Sequence, residues 1–104
     1  MKGGINDLVR QAQIMQKKMA KAQEELADKT VEAAAGGGMV KVVVTGAQEL
    51  VSVAIDPTVV NPDDVAMLED LVLAAVNEGL KQSKEMMERD MSALTGGMKL
   101  PGLF

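Results

Sequence analysis

The chain has 104 residues, enough for one modest core and not for two, and a formal net charge of -4. It contains neither cysteine nor histidine, which excludes disulfides, thiolate chemistry and the commonest general base and metal ligand. Phe104 is the sole aromatic residue, so single-strand binding by base stacking is excluded, and the acidic total leaves local basic patches as the only electrostatic route to nucleic acid.

No apolar run approaches the roughly 20 residues of a membrane span, and the N-terminal stretch MKGGINDLVRQ has no signal-peptide core. A soluble cytoplasmic protein with no membrane partner is expected. Ile5, Leu8, Ala12, Met15, Met19, Ala22 and Leu26 then recur in steps of three and four. This is the seam of a helix packed lengthwise on another helix, and it predicts a first helix over Asn6 to Asp28. Arg10, Lys17, Lys18 and Lys21 precede Glu24, Glu25 and Asp28, an order that opposes the helix dipole. Such a face is either solvated surface or a functional basic surface.

Thr30 to Ala34, Met39 to Thr45 and Glu49 to Ile55 read as three β-strands, separated by the triple glycine Gly36 to Gly38 and by Gly46-Ala47-Gln48. They predict an antiparallel meander. Val40, Val42 and Val44 share one face of the central strand, and Val51, Val53 and Ile55 share one face of the last. The glycine run lacks the Gly-Lys-Ser/Thr ending and the following helix of a phosphate loop, so it is read as a turn.

Asn61-Pro62-Asp63-Asp64 carries the signals of a helix start, with Asn61 as the cap and Pro62 in the first helical position. A second long helix is predicted from Asn61 to Leu94, ended by Thr95-Gly96-Gly97. Its first half is apolar nearly all round, through Val65, Leu68, Leu71, Val72, Ala75, Val76 and Leu80, with Met67, Leu73 and Ala74 widening the face. Three strands cannot cover so much apolar surface, which points to a homodimer. Asn77 interrupts this section as a structural polar residue. Met86, Met87 and Met91 form a narrower stripe that is read as packing against the first helix or a second subunit, or as a surface for another protein. Carboxylates such as Glu69 with Asp70, and Glu85, Glu88 and Asp90, have no histidine beside them to complete a metal site. No catalytic residue, metal or cofactor is expected.

The fold class is thus α+β, in the order α-β-β-β-α, with a single domain over residues 1 to 95 and a flexible tail over 96 to 104. Four motifs carry the reading further. They are LVRQAQIMQKKMAKAQEEL at Leu8 to Leu26, GGGMVKVVVTGAQELVSVAIDP at Gly36 to Pro57, MLEDLVLAAVNEGL at Met67 to Leu80, and LTGGMKLPG near the end. In this order they resemble, over nearly the whole chain, the YbaB/EbfC family of bacterial nucleoid-associated proteins. Gly79 stands where relatives often have alanine.

The resemblance implies a homodimer joined through the sheets and the core-facing parts of the second helices, at Val65, Leu68, Leu71, Val72 and Val76. Helical arms would project from it like tweezers. It further implies duplex DNA bound at the nucleoid by basic residues of those arms. In this sequence these are Arg10, Lys17, Lys18 and Lys21 on the first helix, the denser set, and Lys81, Lys84 and Arg89 on the second, among acidic neighbours. A second reading stays open beside it, a protein-interaction adaptor whose methionine-rich arms grip a DNA repair or replication protein.

Overall fold

A computed structural model describes residues 4–96. The chain forms α1 (Gly4–Asp28), β1 (Thr30–Ala35), β2 (Val40–Thr45), β3 (Leu50–Ile55), a single 3-10 turn at Pro57–Val59 and α2 (Val65–Leu94). The α-β-β-β-α order expected from sequence is therefore present. The molecule is elongated, 75 × 21 × 17 Å. The predicted tail beyond Gly96 lies outside the described residues.

The strands pair antiparallel in the order β1-β2-β3. Val40, Val42 and Val44 point to one side of the central strand and are wholly buried, and their opposite numbers on β1 are Ala35, Ala33 and Val31. Onto this row packs α2, with Ala75 at its centre and Leu68, Leu71, Val72, Val76 and Leu80 around it. The other face of the sheet carries Glu32, Lys41 and Ser52, as the two-residue period requires.

Two small residues set how closely this layer packs. A Cβ on Gly79 would lie 2.8 Å from Val44 Cγ2 and 2.9 Å from Val42 Cγ2, so the missing side chain lets α2 sit directly on the valine row. Gly79 is thus a packing position. Ser83 is fully buried and donates its hydroxyl to the Thr45 carbonyl at 2.6 Å, closing the same interface at the far end of β2.

The start of α2 differs from expectation. Asn61 does not cap it: its Oδ1 accepts from the Asp63 amide at 3.0 Å and its carbonyl accepts from the Asp64 amide at 2.9 Å, making a turn. Asp64 is the cap, its carboxylate accepting from the Met67 amide. Asn, Pro and Asp are as suited to a turn as to a helix start, and here the turn uses Asn61 first. Upstream, the Thr58 amide and hydroxyl donate to Asp56 and hold its carboxyl below the usual carboxylate range. That contribution exists above the ordinary aspartate pKa and is lost as pH falls through the lowered one.

A second, smaller cluster joins α1 to the body. Leu26, Met86 and Met91 are buried together, with Ala22, Val31, Met87 and Leu94 against them. Met86, Met87 and Met91 thus pack inside the molecule, against the first helix. The β2–β3 turn is tied in as well, because the Gly46 amide donates to the carbonyls of both Leu26 and Lys29 at 2.9 Å. A Cβ at Gly46 would meet the Leu26 carbonyl oxygen at 2.6 Å, a backbone atom that cannot swing aside. Gly46→Ala is expected to lower stability by about 1–3 kcal/mol, the range for overpacking, and to loosen α1 first. Urea unfolding gives the first effect, and faster amide exchange in α1 than in β2 gives the second.

Candidate nucleic-acid interface

The basic residues of α1 owe their position to its seam. Leu26 is buried and Ala22, Met19 and Met15 are half-buried, so this row fixes which side of the helix faces α2. At about 100° per residue, Arg10, Lys17 and Lys21 fall within about 40° of one another on the opposite side, and Lys18 lies about 100° round from Lys17. All four are exposed. On α2, Lys81, Lys84 and Arg89 are exposed as well. The one ion pair among the described residues joins Lys29 to Asp90 at 2.8 Å, linking the end of α1 to α2. The basic residues of both expected sets are therefore without an ion-pair partner among the described residues. Lys29 was not singled out in the sequence, and no local pattern marks a contact 61 positions away.

The α1 face is exposed and basic. Unpaired ammonium and guanidinium groups on one side of a helix present donors along a line without first having to leave a carboxylate. The pair Lys17 and Lys21 stands one turn apart with Arg10 further along the same side. On α2 the corresponding cations are interleaved with Glu78, Glu85 and Glu88, which weaken the local potential.

The expected dimer residues occupy two settings. Leu68, Leu71, Val72 and Val76 are half-buried against the protein's own valine core, and Val65 is exposed. Leu71 also packs on the β1–β2 turn at Gly36. Sequence reasoning did not identify β3 as uncovered. The helix lies over β1 and β2, and every residue of β3 is exposed. Val53 and Ile55, opposite Val42 and Val40, share the helix-facing side of the sheet. A bulge at Val43/Val44 pairs Val44 with Leu50, adding Leu50 to that row and leaving Val51 as the extra residue, 59% exposed. On α2, Leu73 is 60% exposed and Asn77 is exposed too.

Among the described residues no cluster of acidic side chains could hold a metal ion, and no helix is long and apolar enough to cross a membrane. Fold and surface define a small αβββα protein with an exposed basic helix and a half-covered sheet. The profile of the YbaB/EbfC DNA-binding family matches residues 1–98, and the chain belongs to that family. It is 58% identical to a nucleoid-associated protein of Thermoanaerobacter pseudethanolicus over 100 residues, covering 96% of this chain and 90% of the relative. A nucleoid-associated protein of Desulforamulus reducens is 55% identical over 104 residues, with 100% of this chain and 99% of the relative covered. The crystal structure of an uncharacterized Helicobacter pylori protein is similar with a TM-score of 0.77 at 27% identity, covering 86% of this chain and 94% of that one.

Proposed function

We propose that this chain acts at the bacterial nucleoid as a homodimer that holds duplex DNA by its phosphates, chiefly through Arg10, Lys17, Lys18 and Lys21 of α1. The observation that carries the reading is that these four cations are exposed, and without an ion-pair partner among the described residues, on a helix that is exposed at every residue from Gly4 to Ile14. Lys81, Lys84 and Arg89 of α2 supply a secondary set. Contact with phosphates fixes the protein on the duplex without a sequence code.

The dimer reading rests on the apolar surface of β3 and α2. Leu50, Val53 and Ile55 lie on the helix-facing side of the sheet, at the strand that α2 leaves uncovered. Val65, Val72 and Val76 lie within about 40° of each other on α2, with Leu73 about 60° further round. Two copies that bring these surfaces together cover both, and Leu68 and Leu71 extend the contact with the surface they retain. Twofold symmetry then doubles the basic patch and makes phosphate binding strong enough to matter despite the acidic total. The adaptor reading draws less support, because Met86 and Met91 are buried and Met87 is half-buried within the protein's own α1–α2 cluster.

Sedimentation and a mobility-shift titration of a mixed-sequence duplex together test the reading. A dimer at micromolar concentration that shifts duplex at low salt and releases it steeply as salt rises is expected. A folded monomer, or binding indifferent to salt, would overturn it.

A further inference from the structure

The seam of α1 is longer than the helix that covers it. Leu26 and Met86 meet at the Gly46 turn, while Ala22, one turn back along α1, and Leu94, two turns on along α2, belong to the same cluster. The two helices therefore run antiparallel, and α2 ends at Leu94 beside the half-buried middle of α1. Beyond that point the same stripe continues uncovered through Ala12, Leu8 and Ile5, with Leu8 66% and Ile5 73% exposed. Val9, 50% exposed, widens it. Apolar side chains that prolong a packed helix seam into solvent form a surface for another helix.

We infer that this surface takes the same stripe of a second copy of the chain, the two α1 helices pairing antiparallel about the level of Arg10. Three observations select that occupant and that direction. The first is continuity with the α1–α2 seam. From its buried end α2 runs along the stripe toward the N-terminus of α1 and stops at Leu94. An antiparallel α1 from a second copy runs the same way and takes up the seam where α2 leaves it, whereas a parallel one would meet the end of α2 head-on. The second is the fit of the side chains. In the heptad phase of the seam Ile5 and Ala12 hold one core position and Leu8 and Met15 the other, so pairing about Arg10 sets Ile5 against Met15 and Leu8 against Ala12, each layer made twice by the twofold symmetry. The third is charge. Between Ile5 and Met15 the residues flanking the seam are Val9 on one side and Gln11 on the other, so the approach of two identical stripes brings no like charges together. Lys18, the nearest cation, lies about 100° from the middle of the stripe, and Arg10 about 180°. The basic sides of both helices stay turned outward. Each α1 joins its own sheet at its C-terminal end, so antiparallel pairing places the two bodies at opposite ends of the paired helices. The contact therefore links copies that are not joined to each other through β3 and α2, and it does not depend on DNA. Being short, it belongs to the weak class of specific interfaces and forms where the local concentration of arms is high.

The chain has no cysteine, so single thiols introduced into the full-length protein report proximity without background. With no DNA present, Leu8→Cys protein mixed with Ala12→Cys protein is expected to form a disulfide joining one of each about tenfold faster than Ile14→Cys protein mixed with Ala12→Cys protein, because Ile14 lies about 140° from the middle of the stripe. Ile5→Asp placed in both proteins of the first mixture, at a position 73% exposed, is expected to slow the reaction to the control rate while circular dichroism stays unchanged. Equal rates for the two mixtures, or a rate indifferent to Ile5→Asp, would overturn the pairing. Faster linking of Leu8→Cys protein to itself than to Ala12→Cys protein would also overturn it, by making the contact parallel. Since the assay contains no duplex, any of these failures leaves the reading of α1 as a phosphate-binding helix to its own mobility-shift test.

Discussion

Changing Lys17, Lys18 and Lys21 together to Glu is expected to abolish duplex binding at moderate salt and to leave helix content and assembly as they were. The three side chains are exposed and have no ion-pair partner among the described residues, so they contribute little to folding, about 0–1 kcal/mol each at most. Their loss to binding is large for two reasons. In the proposed dimer each Glu would remove a counterion-releasing contact and add a charge that repels phosphate, and twofold symmetry would repeat both effects on the second copy. A fall in affinity of at least about a hundredfold is expected at physiological salt. Mobility shift measures it, with circular dichroism and sedimentation as controls. Wild-type binding by a folded, dimeric triple variant would move the site to Lys81, Lys84 and Arg89.

Val76→Asp is expected to destroy the fold and the dimer together. Val76 is packed against the buried cluster of Val40, Val42, Val44 and Ala75, where a carboxylate loses water and finds no partner. Its cost is several kcal/mol out of a total stability of about 5–15 kcal/mol for a small domain. Val53→Lys provides the contrast. Val53 is 42% exposed on the uncovered strand, so a charge there is expected to spare the monomer's core while blocking the face proposed to receive a second copy. Sedimentation should show Val53→Lys as a folded species of half the wild-type mass, or one whose melting point depends steeply on concentration. A Val53→Lys dimer as tight as wild type would remove β3 from the interface.

The parts of the fold governed by local repetition were legible in the sequence. The step of three and four along α1, the alternate valines of β2 and the glycine breaks follow from the periods of helix and strand, and each element lies within a few residues of its expected place. The start of α2 was misread because Asn61 satisfies a turn and a helix cap equally well, and only the hydrogen bonds of Asp63 and Asp64 decide between them. Gly46, Gly79 and Ser83 were illegible for a different reason. Their roles depend on Leu26, Val42, Val44 and Thr45, which are distant in sequence and become neighbours only when the layers pack. The same holds for β3. Its alternation announced an apolar face, but that α2 would lie over β1 and β2 and leave that face open is a matter of where the layers dock. For the candidate site, the sequence marked which residues are basic, and the structure adds that Lys29 alone is committed to an ion pair among the described residues, with Asp90.

The central claim is that phosphates are held by α1, and the salt dependence of duplex binding tests it most directly. Log-log plots of affinity against salt should be steep for the wild type. For Lys17→Gln, Lys18→Gln and Lys21→Gln combined, the slope should fall by about 0.9 for every phosphate contact removed, so by about three or more over the dimer. The matching set Lys81→Gln, Lys84→Gln and Arg89→Gln should change it by about one or less. A wild-type slope in the α1 variant, together with a flattened one in the α2 variant, would contradict the account.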